Sequence, residues 1–188
     1  MLFVDIIGFT AYADGKPPEE IIRRLREFHG LMEHEVFQHG GTLDKYLGDG
    51  LMATFGTPFN GQGDAGQALR CAQKMIVTID ELNRERARQG EAPIRASFGL
   101  HYGPVVLGDI GMHRLEFAVI GNTVNAASRL EALTRQLGCI LVASDDLMNQ
   151  IFAESNPDVG LIKLVRQPAQ IIRGLERPIE IWTQAKTG

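Results

Sequence analysis

Thr42-Leu43-Asp44-Lys45-Tyr46-Leu47-Gly48-Asp49-Gly50-Leu51-Met52-Ala53-Thr54-Phe55 contains two short runs suited to strands, joined by a Gly-Asp-Gly centre. This is the pattern of a β-hairpin, with residues 42–47 and 51–55 as its arms and a turn of the Asp-Gly kind between them. Upstream, residues 1–7 form an apolar run broken only by Asp5, which reads as a buried strand, and Gly8-Phe9-Thr10 turns the chain. Between that strand and the hairpin, Ile21, Ile22, Leu25, Phe28, Met32 and Val36 recur with the period of an amphipathic helix over residues 17–39. Pro17 and Pro18 suit its first turn, and Gly40-Gly41 end it.

Downstream, a second long helix is expected over residues 64–89, with Asp64 and Gln67 spaced as a capping box. Residues 94–102, 115–120 and 140–143 read as strands, and residues 105–107 are placed to resume pairing after Gly103-Pro104. A helix over residues 123–137 is closed by Gly138, and Ser144 caps a short helix to Ala153. Two last strands are expected near residues 161–165 and 178–183. The order β-α-β-β-α-β with additional αβ elements is that of an α+β, ferredoxin-like core with a mainly antiparallel sheet. Its helices should cover one face, leaving the other face and the strand-end loops to a ligand or partner. No repeat, low-complexity tract or Pro/Ser-rich linker divides the chain, so residues 1–188 read as one domain. The first strand starts almost at residue 1, which suggests a part of a longer protein.

The 188 residues carry ordinary globular proportions, 44% apolar and 22% charged, which argues against extensive disorder. A net charge of −4 argues against a broad nucleic-acid-binding face, and a polyanionic substrate would need local cations or metals. Cys71 and Cys139 lie far apart without ligand spacing and read as buried, reduced thiols of a cytoplasmic protein. No apolar run approaches the ~20 residues that span a bilayer, and no signal-peptide pattern is present. No membrane contact is expected from this segment.

Two aspartates stand out. Asp5 interrupts an apolar strand, where an unpaired carboxylate is costly, and Asp49 lies at the hairpin tip. If the two strands are neighbours, the carboxylates project from one end and form a seat for Mg²⁺ or Mn²⁺. Taken singly, Asp49 reads as a turn former and Asp5 as a hydrogen-bonded strand end. On the residues alone the two readings are evenly matched.

Three blocks together resemble the catalytic domains of class III adenylate and guanylate cyclases. They are Phe3-Val4-Asp5-Ile6-Ile7-Gly8-Phe9-Thr10, Lys45-Tyr46-Leu47-Gly48-Asp49-Gly50, and Gly121-Asn122-Thr123-Val124-Asn125-Ala126-Ala127-Ser128-Arg129-Leu130-Glu131. They occur in the family's order, and the resemblance covers essentially the whole chain. It implies that Asp5 and Asp49, with the backbone carbonyl of Ile6, bind two divalent metal ions. It further implies that Asn125 orients the ribose and that Arg129 meets the charge developing on the α-phosphate. Those two residues are four apart and share a helix face; singly, Arg129 reads as a surface ion pair with an acid such as Glu131. No His or Glu near these motifs is an obvious general base, which a metal-acidified hydroxyl tolerates.

Lys45 stands where the family's adenylate cyclases read adenine N1 with a lysine and its guanylate cyclases use glutamate. Ala118 stands at the second purine-reading position, normally Asp or Thr in adenylate cyclases, and offers no side-chain acceptor. Arg173, in Ile171-Ile172-Arg173-Gly174, takes the place of a phosphate-holding lysine. Arg114 matches another phosphate-binding arginine, with His113 one residue away as the alternative. The resemblance implies ATP as substrate and a homodimer with head-to-tail shared sites, the metal aspartates coming from one protomer and Lys45, Asn125 and Arg129 from the other. A sensor domain upstream in a longer protein is compatible with it. The rivals are a guanylate or dual-specificity cyclase and a non-catalytic nucleotide-binding domain. A diguanylate cyclase lacks its Gly-Gly-Asp/Glu-Glu-Phe signature here.

Overall fold

The computed structural model describes residues 1–110, 116–154, 164–172 and 177–185. Strand β1 (Leu2–Ile6) is followed by a short helix α1 (Phe9–Ala13) and the long helix α2 (Pro18–Gln38). Strands β2 (Thr42–Leu47) and β3 (Gly50–Thr54) form the hairpin, and helix α3 (Asp64–Arg88) leads to β4 (Ala96–Leu100). Strands β5 (Val106–Ile110) and β6 (Glu116–Ile120) form a separate antiparallel pair. Helix α4 (Asn122–Leu137), strand β7 (Cys139–Ser144), helix α5 (Asp145–Ala153), and strands β8 (Val165–Gln170) and β9 (Ile179–Ala185) complete the order. The main sheet has the order β2-β3-β1-β4-β7-β9-β8. All its pairings are antiparallel except β4 with β7, so the fold is α+β with a largely antiparallel sheet, as the sequence implied. Among the described residues no helix is long and apolar enough to cross a membrane.

Alternation along β1 divides the molecule. Leu2, Val4 and Ile6 enter a core with Phe28 and Met32 of α2, Leu69 and Met75 of α3, and Leu147 and Ile151 of α5. Phe3 faces the other way, into a second cluster with Met52, Val119 and Ala127, and Asp5, two residues on, shares that side by strand parity. The expectation of helices on one face only is therefore corrected. Helix α4 packs on the opposite face, and glycine makes this possible: a Cβ on Gly99 would lie 2.2 Å from the Glu131 amide nitrogen and 2.4 Å from the Ala127 carbonyl oxygen.

Local details also differ from expectation. The hairpin turn is the two residues Gly48-Asp49, with Leu47 paired to Gly50. Positive φ falls on Gly48, at +70°, so the turn takes glycine at its first central position rather than an Asp-Gly pair. Gly8-Phe9-Thr10 opens helix α1 instead of a plain turn. Asp64 does not cap α3; Gly63 occupies the cap, while Asp64 accepts from the Gly61 amide at 2.6 Å. The first-turn amides of the buried Ala65 and Gly66 instead donate, both at 2.9 Å, to the Glu154 carboxylate at the end of α5. Ser144 caps α5 as expected, accepting from the Leu147 amide at 3.2 Å. Both cysteines are free and buried.

The Gly99 contact is directly testable. The atoms a methyl group would meet are backbone, which has no rotamer by which to yield. Gly99→Ala is expected to cost roughly 1–3 kcal/mol, the usual penalty of overpacking, read as a lower urea midpoint. An unchanged midpoint would show that α4 is not seated there.

Candidate active site

The two metal-candidate aspartates are brought together at one end of neighbouring strands. Strand β1 pairs with β3, whose first residue, Gly50, follows Asp49. A Cβ on Gly50 would lie 2.6 Å from the Val4 carbonyl oxygen and 3.0 Å from Asp5 Oδ1, so glycine here keeps the hairpin tip against Asp5. The Asp5 carboxyl is pushed up from the ordinary aspartate range, first by burial and then by the negative charge of Asp49. Arg135 opposes that shift, and its Nη2 donates to Asp5 Oδ2 at 2.6 Å.

Glu131 completes this corner. It is buried, with a relative exposure of 8%, and accepts from Ser97 Oγ at 2.5 Å. Ser97 lies directly across from Asp5 in the β1–β4 register. Arg135 Nη2 lies 3.6 Å from Glu131 Oε1, one helical turn away on α4. Burial raises the Glu131 carboxyl most, and the charges of Asp5 and Asp49 act in the same direction. The ion pair imagined between Arg129 and Glu131 is not what forms; Glu131 faces Arg135. At 100° per residue, Arg129 and Glu131 stand about 200° apart around α4, nearly opposite.

Asn125 and Arg129 lie on the outer side of that helix, away from the buried stripe of Thr123, Ala126, Ala127, Leu130 and Thr134. Asn125 is exposed and Arg129 half-buried. Arg129 Nη1 is screened from solvent yet has no hydrogen-bond acceptor among the described residues. A guanidinium donor in that condition is open to an additional acceptor.

Lys45 lies on β2 beside a β-bulge that falls between Leu43 and Lys45, and its Nζ is 3.6 Å from Asp44 Oδ2. Ala118 is buried in β6, opposite Gly108 of β5. Ile6 is buried and pairs with Ala96. Arg114 and Arg173, together with His113, lie outside the described residues.

Residues that sequence reasoning did not single out support the hairpin from α2. His29 stacks on Tyr46, with ring centroids 4.4 Å apart and planes at 23°. The Tyr46 hydroxyl donates to Glu33 Oε2 at 2.8 Å, and burial followed by that contact pushes its pKa up to about 12. Burial also lowers the His29 pKa, against the pull of Asp49. The only sequence signal for Arg135 was its i,i+4 spacing from Glu131.

A divalent cation fits the donor set around Asp5. Two hard carboxylates face one region, and their repulsion would be relieved by a shared positive ion. Among the described residues no cluster of three or more His, Cys, Asp or Glu has metal-cage geometry. The described residues would thus supply part of a coordination shell.

Residues 1–149 match the model of the adenylate and guanylate cyclase catalytic domain. The chain belongs to that family. It is 33% identical to an adenylate cyclase of Anabaena cylindrica over 187 residues, which cover 97% of this chain and 36% of that protein. It thus spans little more than a third of that relative's length. The adenylyl cyclase CyaB from P. aeruginosa shares its fold with a TM-score of 0.84 at 25% identity, covering 100% of this chain and 93% of that one. The guanylyl cyclase Cya2 gives a TM-score of 0.80 at 29% identity, covering 100% and 91%. The cyclase catalytic-domain fold accounts for the mixed helix-and-sheet architecture.

The Glu131 environment yields a pH prediction. A carboxyl whose native pKa is raised holds its proton more tightly in the folded state. Its contribution to stability is greatest below the unfolded value, 4.5, and falls as pH rises through the native value. Glu131→Gln, uncharged throughout, should therefore gain on the wild type in urea unfolding as pH is raised from about 4 to 7. A constant difference across that interval would contradict the burial of Glu131 beside the aspartates.

Proposed function

We propose that residues 1–188 are one catalytic domain that converts ATP to 3′,5′-cyclic AMP and pyrophosphate, in the cytoplasm, at sites shared across a head-to-tail homodimer. The observation that carries the reading is the division of α4. Its Glu131 and Arg135 touch the Asp5 corner of the same chain, while Asn125 and Arg129 point to the far side. One chain therefore cannot easily direct Asp5 and Arg129 at the same phosphorus, and a second copy supplies the missing half of each site.

In this reading Asp5 and Asp49, with the Ile6 carbonyl, hold two Mg²⁺ or Mn²⁺ ions. When bound, these acidify the ribose 3′-hydroxyl and neutralise charge on the phosphates. Asn125 of the opposing protomer orients the ribose. Arg129, whose Nη1 lacks an acceptor among the described residues, donates to the α-phosphate oxygens as their charge grows. Lys45 donates to adenine N1. Arg173 holds the terminal phosphates, and Arg114 is a further phosphate-binding group. The 3′-oxygen bonds to the α-phosphorus, the bond to the bridging oxygen of pyrophosphate breaks, and the hydroxyl proton leaves to solvent.

One observation favours a second reading, turnover of GTP or of both nucleotides. Ala118 offers the adenine 6-amino group no side-chain acceptor, so Lys45 alone would discriminate between the bases.

Incubation with ATP or GTP plus Mn²⁺, followed by product identification, decides between these readings. Cyclic AMP in excess is expected; cyclic GTP-derived product in excess would reassign the base, and no cyclic product would leave a binding domain. Arg129→Ala is expected to lower kcat by roughly 10²–10³-fold, the scale of losing a donor to the transition-state oxyanion. Asp5→Ala and Arg129→Ala chains, each strongly impaired alone, should regain activity when mixed. A mixture that forms heterodimers but stays inactive would remove the shared site.

A further inference from the structure

The two oxygens of Asp5 are divided between different neighbours. Oδ1 faces Gly50 and the Asp49 hairpin, whereas Oδ2 accepts from Arg135 Nη2 at 2.6 Å. Arg135 is half exposed, with a side-chain exposure of 50%, so it can leave Asp5 without disturbing the core. A second acceptor waits beside it: Glu131 Oε1 is 3.6 Å from the same nitrogen and is anchored by Ser97.

Starting from the metal reading above, on which this inference rests, we propose that Arg135 is the resident counter-ion of Asp5. It competes with divalent cations for Oδ2 and passes to Glu131 when they load. Divalent cations drawn to Asp5 and Asp49 would seek the Asp5 carboxylate, and a guanidinium hydrogen-bonded to one of its oxygens would be a direct competitor. The repulsion between an arginine and a dication a few ångströms apart acts in the same direction. Glu131 makes the transfer local, because the guanidinium exchanges one carboxylate for another instead of entering water unpaired. Arg135 thereby sets the metal concentration at which the site fills. It is a positioning residue, since it touches a metal ligand and not the substrate.

The test is Mn²⁺ binding to the full chain without nucleotide, followed by the loss of the free-ion electron paramagnetic resonance signal, for wild type, Arg135→Gln, Arg135→Lys and Asp5→Asn. Arg135→Gln is expected to bind Mn²⁺ roughly three- to tenfold more tightly, with the difference shrinking in high salt. Arg135→Lys, which keeps the charge, should stay near wild type. Weaker or unchanged binding by Arg135→Gln, while Asp5→Asn abolishes binding, would overturn the proposal and leave the metal reading standing. Unchanged binding by Asp5→Asn would instead remove the metal reading itself. Thermal melts of each variant confirm that the folded chain is being compared.

Discussion

A carboxylate held in a central strand, facing a packed helix, governs this molecule. Asp5 is flanked by β3 and β4 and shares its side of the sheet with Phe3, so it cannot be fully hydrated. An ionised group in that position requires positive charge nearby. Arg135 supplies it within the chain, and Glu131 and Ser97 hold that arginine and its helix in register. The close seat of α4 on Gly99 makes the arrangement possible, because a side chain there would push the helix and its charges away from the strand.

The same helix has two occupations. Its inner stripe of small and apolar residues, Ala126, Ala127 and Leu130, buries against the sheet. One flank reaches Asp5, and the outer side carries Asn125 and Arg129. A rigid element with chemistry on separate faces ties the placement of one group to that of the other. Any displacement of α4 that altered the Asp5 corner would also move the outward-facing arginine. The hairpin carrying Asp49 is fixed independently, through the stack of Tyr46 on His29 and the bond from Tyr46 to Glu33 of α2.

Most elements were legible in the sequence because they follow local rules. The apolar period of α2, the glycines after it and Ser144 before α5 act within a few residues, and the structure follows them to within a residue or two. What went astray depended on distant partners. Asp64 looked like a cap, yet of the amides it would have served, Gly66 donates to Glu154, 88 residues along the chain, and Gln67 to the Gly63 carbonyl. The Gly-Asp-Gly centre read as a turn of the Asp-Gly kind, whereas pairing of Leu47 with Gly50 places Gly48 at positive φ in the first central position.

For the site, sequence by itself determined the cast. Composition and period place Asp5 in an apolar strand, Asp49 at a hairpin tip and Asn125 with Arg129 on one helix face, and it is the resemblance to class III cyclases that joins them into one candidate site. Tertiary structure decided the neighbours. The Asp5–Arg135 pair joins residues 130 positions apart, and no local rule reaches that far. Only the packing of α4 across the second face of the sheet brings its inner flank to one carboxylate while turning its arginine outward, because a helix can present a given residue in one direction at a time.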